Sequence, residues 1–226
     1  MAINEKLAKQ YDDKARLFEE LEWRYNEPSR TPYYGMWNFD MKDKHVLDVG
    51  CGFGTDLIRA RDLGAICYGI DASEEFINMA RNKLPVASLR VGFMENLPYK
   101  DEQFDVVMSR YVIQTSPDVP KCLDEMVRVL KTDGTLIYLT VDPIRTFVEK
   151  GENSDYFEQR ITRSIFFGGN FSTMEPTHTF EKYLNSEFFN RCHLTGFREY
   201  TDFGSAVRVG RQNYPGFMIL RARKIR

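Results

Sequence analysis

The sequence predicts an α/β fold in which strands and helices alternate around a parallel sheet. Three observations carry that prediction. Short apolar runs bounded by turn residues recur at 46–49, 66–70, 89–91, 104–109 and 136–139, as buried parallel strands require. Stretches of helical periodicity separate them, which places crossover helices on both faces. The first run opens into three alternating glycines, Gly50, Gly52 and Gly54, and the second ends on an acid, Asp71. At 226 residues and 42% hydrophobic content, the chain suffices for one such domain with a full core. Residues 1–226 are therefore read as a single domain.

Each element has its own signal. Ile3, Leu7, Tyr11, Ala15, Phe18 and Leu21 fall at three-to-four spacing, predicting an amphipathic helix or helix pair that Pro28 and Pro32 end. Residues 1–40 form a helical cap on this reading, with an aromatic-dense stretch from Thr31 to Trp37. A helix over 55–63 stops at Gly64, and Ser73, Glu74 and Glu75 open the next one, with acids where the macrodipole favours them. The third strand leads into Gly92-Phe93-Met94-Glu95-Asn96-Leu97-Pro98. Val119, Leu123, Met126, Val127 and Leu130 share one helix face, and Asp133-Gly134 makes a turn before the fifth strand. Residues 140–183 break the rhythm: rich in aromatics and carrying Gly168-Gly169, they read as a lid insertion. A short helix over 181–189 and strands over 197–201 and 217–222 complete the chain.

Glycines spaced G-x-G-x-G between strand and helix let the backbone turn sharply and lie close to an extended ligand, with the helix start and a distal acid as polar anchors. This is a cradle for a nucleoside cofactor. The dinucleotide fingerprint is G-x-G-x-x-G, and here the third glycine is misplaced for it. Asp48, inside the strand, would repel a pyrophosphate and suits a ligand bearing an ammonium and no phosphate. With these residues, Val46-Leu47-Asp48-Val49-Gly50-Cys51-Gly52-Phe53-Gly54, the chain resembles the small stand-alone class I S-adenosylmethionine-dependent methyltransferases. The resemblance runs from about Tyr11 to the C-terminus and is strong over 46–139. It implies a Rossmann-like seven-stranded mixed sheet of order 3-2-1-4-5-7-6 with the last strand antiparallel. It also implies S-adenosylmethionine as cofactor and methyl transfer to oxygen or nitrogen of a small molecule by in-line displacement.

Gly50, Cys51 and Gly52 would lie against the methionine and ribose portions, whereas a plain strand-to-helix turn is the simpler reading. Asp71 would accept from the ribose hydroxyls, with Ala72 beside it; an acid there also suits NAD. Asp48 would act through the loop amides or a water, or be purely structural. In similar sequences the loop after the third strand reads G-D-A-E-x-L-P, with the aspartate accepting from the adenine amine; this chain has Phe93 there. Phe93 stacks or packs, and Met94 presents its amide and an apolar wall. Tyr11 matches a tyrosine of the N-terminal helix that covers the cofactor in similar enzymes. After the fourth strand stands Ser109-Arg110-Tyr111-Val112, not the [DNS]-P-P-[YFW] element of base methyltransferases. Ser109 is assigned to the cofactor, and Tyr33, Tyr34, Arg110 and Tyr111 to the acceptor. The aromatics would wall a pocket, while Arg110, Arg145 and Arg163 offer bidentate clamps for a carboxylate.

Methyl transfer needs alignment and exclusion of water more than it needs a base. Where a proton must leave, His178 in Pro176-Thr177-His178-Thr179-Phe180 is the candidate, because similar methyltransferases carry a His-x-x-x-x-Tyr stretch after the insertion; a helix-initiating surface histidine is the alternative. His45 precedes the first strand on the wrong edge, and His193 lies in the C-terminal helical region. Rival functions are an NAD-dependent oxidoreductase and an adenosyl-binding protein without catalysis.

A net charge of −2 and a pI near 6.0 supply no field for nucleic acid or anionic membrane. Cys51, Cys67, Cys122 and Cys192 are scattered without metal-ligand spacing, so no metal is expected. The N-terminal residues, with Asn4, Glu5, Lys6 and Lys9, hold no signal-peptide core. The expectation is a cytoplasmic protein that binds neither nucleic acid nor membrane, with its oligomeric state undetermined.

Overall fold

A computed structural model describes residues 3–25, 27–149, 155–201 and 214–226. Its centre is a seven-stranded sheet. In chain order its first five strands are β1 (His45–Val49), β2 (Ile66–Asp71), β3 (Ser88–Val91), β4 (Phe104–Arg110) and β5 (Leu130–Val141), all mutually parallel. A two-stranded sheet of β6 (Ile161–Phe166) and β7 (Phe171–Pro176) stands outside it. The last two central strands, β8 (Cys192–Tyr200) and β9 (Phe217–Lys224), pair antiparallel, and β9 inserts between β8 and β5. Counting only central strands, the order is 3-2-1-4-5-7-6, the Rossmann-like arrangement the resemblance implies.

The alternation of strand side chains divides the core. Leu47, Val49, Val107, Leu136 and Tyr138 pack on one face against α6 (Val119–Val129), α8 (Phe180–Tyr183) and α9 (Ser186–Arg191). Val46, Val106, Met108, Ile137 and Leu139 pack on the other against α4 (Thr55–Asp62) and α5 (Glu74–Lys83). Both faces are covered, so the central strands read as unbroken apolar runs. Gly54 at φ 88 caps α4, and Ser73 caps α5 by accepting from the Phe76 amide at 3.1 Å.

The cap is three helices, α1 (Ile3–Asp12), α2 (Ala15–Tyr25) and α3 (Glu27–Gly35), with Pro32 inside the third rather than ending the second. Tyr11 and Phe18 pack with Ala15, Phe53 and Phe76 in a small cluster that seats the cap over the glycine loop. The predicted turn at Asp133-Gly134 is absorbed into β5. Leu130 pairs with Phe104 and Thr135 with Val106, so the intervening residues bulge out, with Asp133 at φ 64. The insertion holds α7 (Pro143–Glu149) and the β6–β7 hairpin, which packs on α1. The predicted helix over 181–189 is two helices, α8 and α9. No helix among the described residues is long and apolar enough to cross a membrane.

Candidate functional site

A cleft of about 1040 Å³, open to solvent, lies at the C-terminal edge of β1, β2 and β4 under the cap. Its position follows from topology: β1 passes to β2 on one side and β4 joins on the other, so the loops diverge there and leave a crevice.

Its floor is the glycine loop. Gly50, Gly52 and Gly54 have φ of 75, 51 and 88, a left-handed backbone that side-chain-bearing residues avoid. The three serve differently. A Cβ at Gly50 would stand 2.3 Å from Val112, and one at Gly54 2.8 Å from Leu84, whereas a Cβ at Gly52 would meet nothing within 4 Å. The open space over Gly52 faces the cleft. Asp71 ties the loop down: Oδ2 accepts from the Gly52 amide at 2.8 Å and Oδ1 from the Ser73 amide at 2.9 Å. Burial pushes the Asp71 carboxyl up to about 6 against the pull of those amides.

Tyr11, Gly50, Cys51, Gly52, Asp71, Ala72, Phe93, Met94, Arg110 and Tyr111 all line this cleft. Burial pushes the Cys51 thiol well up, so it is an apolar wall and not a nucleophile. Phe93 is 36% exposed and forms part of the rim. Tyr111 holds φ 58 at the end of β4, with its ring edge-on to Phe217 at 6.1 Å; strained backbone of this kind marks sites where geometry is enforced. The Tyr11 hydroxyl donates to Glu175 of β7 at 2.9 Å, joining cap to hairpin. Its neighbour Asp12 accepts from the Ser73 hydroxyl at 2.6 Å and the Glu75 amide at 3.0 Å, joining cap to the Asp71 loop.

Five candidate residues do not line the cleft. Asp48 is 2% exposed beneath the loop; burial first, then the nearby Asp56 charge, raises its carboxyl well above the ordinary range. The loop amide of Gly52 goes to Asp71. Ser109 is fully buried, its hydroxyl donating to the Val49 carbonyl at 2.7 Å, where it staples β4 to β1. Tyr33, on α3, is likewise buried, its hydroxyl directed at the Ser109 carbonyl, and Tyr34 donates to Asp56 at 2.6 Å. Neither tyrosine walls an acceptor pocket, because the aromatic stretch turns inward to seat α3. His178 corrects the base assignment. It is 8% exposed with Nε2 3.0 Å from the Gln114 carbonyl and Nδ1 3.4 Å from Gln159, and it borders a separate small pocket with Phe147, Asp155 and Tyr156. It is neither a surface residue nor a group facing the cleft.

Sequence reasoning missed Glu22, Thr55 and Asp56, which line the cleft with Phe18. Arg110 bonds Asp56 at 2.8 Å and also pairs with Glu22, at 5% exposure for either acid. Burial alone would lower the Arg110 pKa, but Asp56 and Glu22 outweigh it and hold the guanidinium charged. The readable signal for Glu22 is its place four residues after Phe18, an acid on the apolar stripe of an amphipathic helix.

The residues fit a nucleoside ligand carrying an amino acid. Space stands open over Gly52, the cleft is walled by aromatic and aliphatic groups between Asp71 and the Arg110 network, and the Thr55 hydroxyl is buried without a hydrogen-bond partner.

Comparison with known proteins agrees. A family model described as a methyltransferase domain matches residues 47–138. The chain is similar to a ubiquinone biosynthesis O-methyltransferase of Coxiella burnetii, 30% identical over 106 residues that cover 45% of each chain. It is also similar to a norajmaline N-methyltransferase of Rauvolfia serpentina, 32% identical over 123 residues covering 51% of this chain and 38% of that one. The matches thus span less than half the length of these curated relatives. A crystal structure described as a putative S-adenosylmethionine-dependent methyltransferase from Listeria monocytogenes superposes with a TM-score of 0.68 at 22% identity, over 83% of this chain and 93% of that one. With the glycine cradle and the sheet order in agreement, residues 47–138 match a methyltransferase domain, and the chain shares its fold with the S-adenosylmethionine-dependent methyltransferase it superposes on.

Proposed function

We propose that the protein transfers a methyl group from S-adenosylmethionine to an oxygen or nitrogen of a small-molecule acceptor. One observation carries the reading: the Gly52 backbone, at φ 51 with open space above it, is held by its amide on the Asp71 carboxylate. That pairing builds a surface flat enough for the thioether chain beside an acid that accepts from ribose hydroxyls. When bound, the cofactor supplies a sulfonium methyl that passes in line to a nucleophile. The protein's share is to orient and dehydrate. The glycine loop and Asp71 fix the donor, Phe93 and Met94 wall its nucleobase, and the strained Tyr111 shapes the floor where acceptor and donor meet. The cap, anchored by Tyr11 on Glu175 and Asp12 on Ser73, excludes water.

A small acceptor is supported by the largely apolar cleft and by relatives named for O- and N-methylation. A net charge of −2 speaks for neither nucleic acid nor anionic membrane as partner. Four buried free thiols suit the reducing cytoplasm. Arg110 is ion-paired and held charged, so it does not serve as a base, and an acceptor already nucleophilic at neutral pH fits best.

Calorimetry with S-adenosylhomocysteine and with NAD tests the cofactor: the adenosyl thioether binds and NAD does not. An acceptor screen that follows S-adenosylhomocysteine release tests the activity. Binding of NAD alone refutes the proposal, and tight adenosyl binding without turnover on any acceptor class reduces it to a binding protein.

A further inference from the structure

A second pocket, of about 380 Å³, lies between α7 and β6 and reaches Val141 at the end of β5. It stands against the wall of the cleft by two routes. Ser164, on its lining, bonds Glu175, which takes the hydroxyl of the cleft residue Tyr11 at 2.9 Å. Val141 pairs with Phe217 across the sheet, and the ring of the cleft residue Tyr111 meets Phe217 at 6.1 Å.

The charges on the lining of this pocket do not cancel. Arg145 of α7 is buried and bonds Glu149 at 3.0 Å, and the Tyr214 hydroxyl donates to the same acid at 3.1 Å. Arg163 of β6 is the second guanidinium of the lining, and among the described residues it makes no ion pair. Two cations and one acid leave a single positive charge. Glu175 stands behind the lining, with Tyr11 at 2.9 Å and Thr173 at 3.2 Å donating to it, and burial pushes its carboxyl toward the neutral form. Ile165 and Phe166 give the pocket an apolar side. A monoanion on an apolar body answers the whole set. Guanidinium forks match a carboxylate in plane, and the burial of Arg145 reduces the screening of its charge. A cation would meet Arg163 unopposed.

Resting on the methyl-transfer reading, we propose that this pocket seats the acceptor by a carboxylate at the end remote from its nucleophile. Arg163 and Arg145 grip the carboxylate, with Glu149 holding Arg145 in place. The body of the acceptor lies on Phe166 and Val141, and its nucleophile is directed toward Tyr111 and the donor. The acceptor is on this account a small organic acid, and Arg163 is the residue that selects it.

Benzoate, methyl benzoate and benzylammonium share a ring and differ in charge. Their binding to the protein, with and without S-adenosylhomocysteine, is read by nuclear magnetic resonance titration at fixed ionic strength. Benzoate should bind in the millimolar range, as its size allows, and about tenfold more tightly than either of the others. S-adenosylhomocysteine should not displace it. Arg163→Gln should weaken benzoate about three- to fivefold, and Arg163→Glu should turn the preference over to benzylammonium. Both variants should leave methyl benzoate and S-adenosylhomocysteine bound as in the wild type. Arg145→Met should weaken benzoate about tenfold, and if it fails to fold the exposed Arg163 decides alone. Benzoate binding no tighter than its ester overturns the proposal, as does a preference unmoved by Arg163→Glu. Displacement of benzoate by S-adenosylhomocysteine also overturns it, since the anion would then lie in the donor cleft. A wild type that takes benzoate as expected but not S-adenosylhomocysteine defeats the methyl-donor reading and leaves the carboxylate site standing, so the two failures are distinct.

Discussion

The Asp71 carboxylate accepts from the Gly52 amide at 2.8 Å across 19 residues of sequence. The end of β2 therefore clamps the loop that follows β1, and the acid that sets the curvature of the cradle is the one proposed to face the ribose. Replacing it with asparagine keeps one acceptor and removes the charge. Asp71→Asn should weaken S-adenosylhomocysteine binding by about 1.5 to 3 kcal/mol, measured by calorimetry, with a smaller loss of thermal stability.

The same carboxyl makes binding pH-dependent. Its folded pKa of about 6 lies above the ordinary 3.8, so the folded protein holds a proton there that the unfolded chain releases. Its contribution to stability is fullest below the unfolded value and is lost as pH rises through about 6. Binding runs the other way, because ribose hydroxyls donate to the charged form. Affinity should rise as pH is raised through the folded pKa, and the Asp71→Asn variant should show a flat profile over that range. A wild-type profile without that rise would separate the acid from the ligand.

Gly50 and Gly52 should fail differently. Gly50→Ala drives a Cβ to 2.3 Å from Val112 at an unfavourable φ of 75, and a loss of about 3 kcal/mol in denaturant unfolding is expected from overpacking and left-handed strain together. A Cβ at Gly52 meets nothing within 4 Å, so Gly52→Val weakens the fold chiefly by backbone strain of about 1 to 2 kcal/mol, while the side chain fills the proposed ligand space and abolishes adenosyl binding. Equal stability losses with retained binding would contradict the division.

His178 bonds the Gln114 carbonyl away from the cleft, a placement that predicts a structural part for it. His178→Ala removes a buried partner of the Gln114 carbonyl and should lower stability by about 1 to 3 kcal/mol. Affinity for S-adenosylhomocysteine should stay at the wild-type value, and turnover, once an acceptor is found, should keep the wild-type pH dependence. A pH profile that loses one limb in the variant would return the residue to the mechanism.

Phe93 stands where similar sequences carry an acid for the adenine amine. Phe93→Asp should raise the preference for S-adenosylhomocysteine over its inosine counterpart by about tenfold, one charge-assisted hydrogen bond in a partly exposed site. An unchanged ratio would place the nucleobase away from this rim.

The central sheet was legible because buried parallel strands have to be apolar on both faces, and the runs around Leu47, Val107 and Ile137 satisfy that with turn residues at their ends. The glycine loop and Asp71 were legible because few other residues tolerate those dihedrals or that position. The β6–β7 hairpin was not, since its aromatics carry no clean alternation: Phe167 and Phe171 pack on Phe18 of α2, with Phe166 against Phe171, rather than into a core of their own. Proline misled at position 32, which lies inside α3, in its second half. Spacing in sequence also cannot distinguish a side chain above the loop from one beneath it: Asp48, Ser109 and Tyr33 lie next to the site in sequence or space yet point into the core. Glu22 reaches Arg110 across 88 residues, a pairing no local pattern announces.

Tyr11 and Asp12 are consecutive, yet one is moored to the hairpin and the other to the turn bearing Asp71. Lifting the end of α1 off the sheet would part both moorings together, so one turn of helix fixes the cap to the hairpin and to the glycine loop's clamp at once.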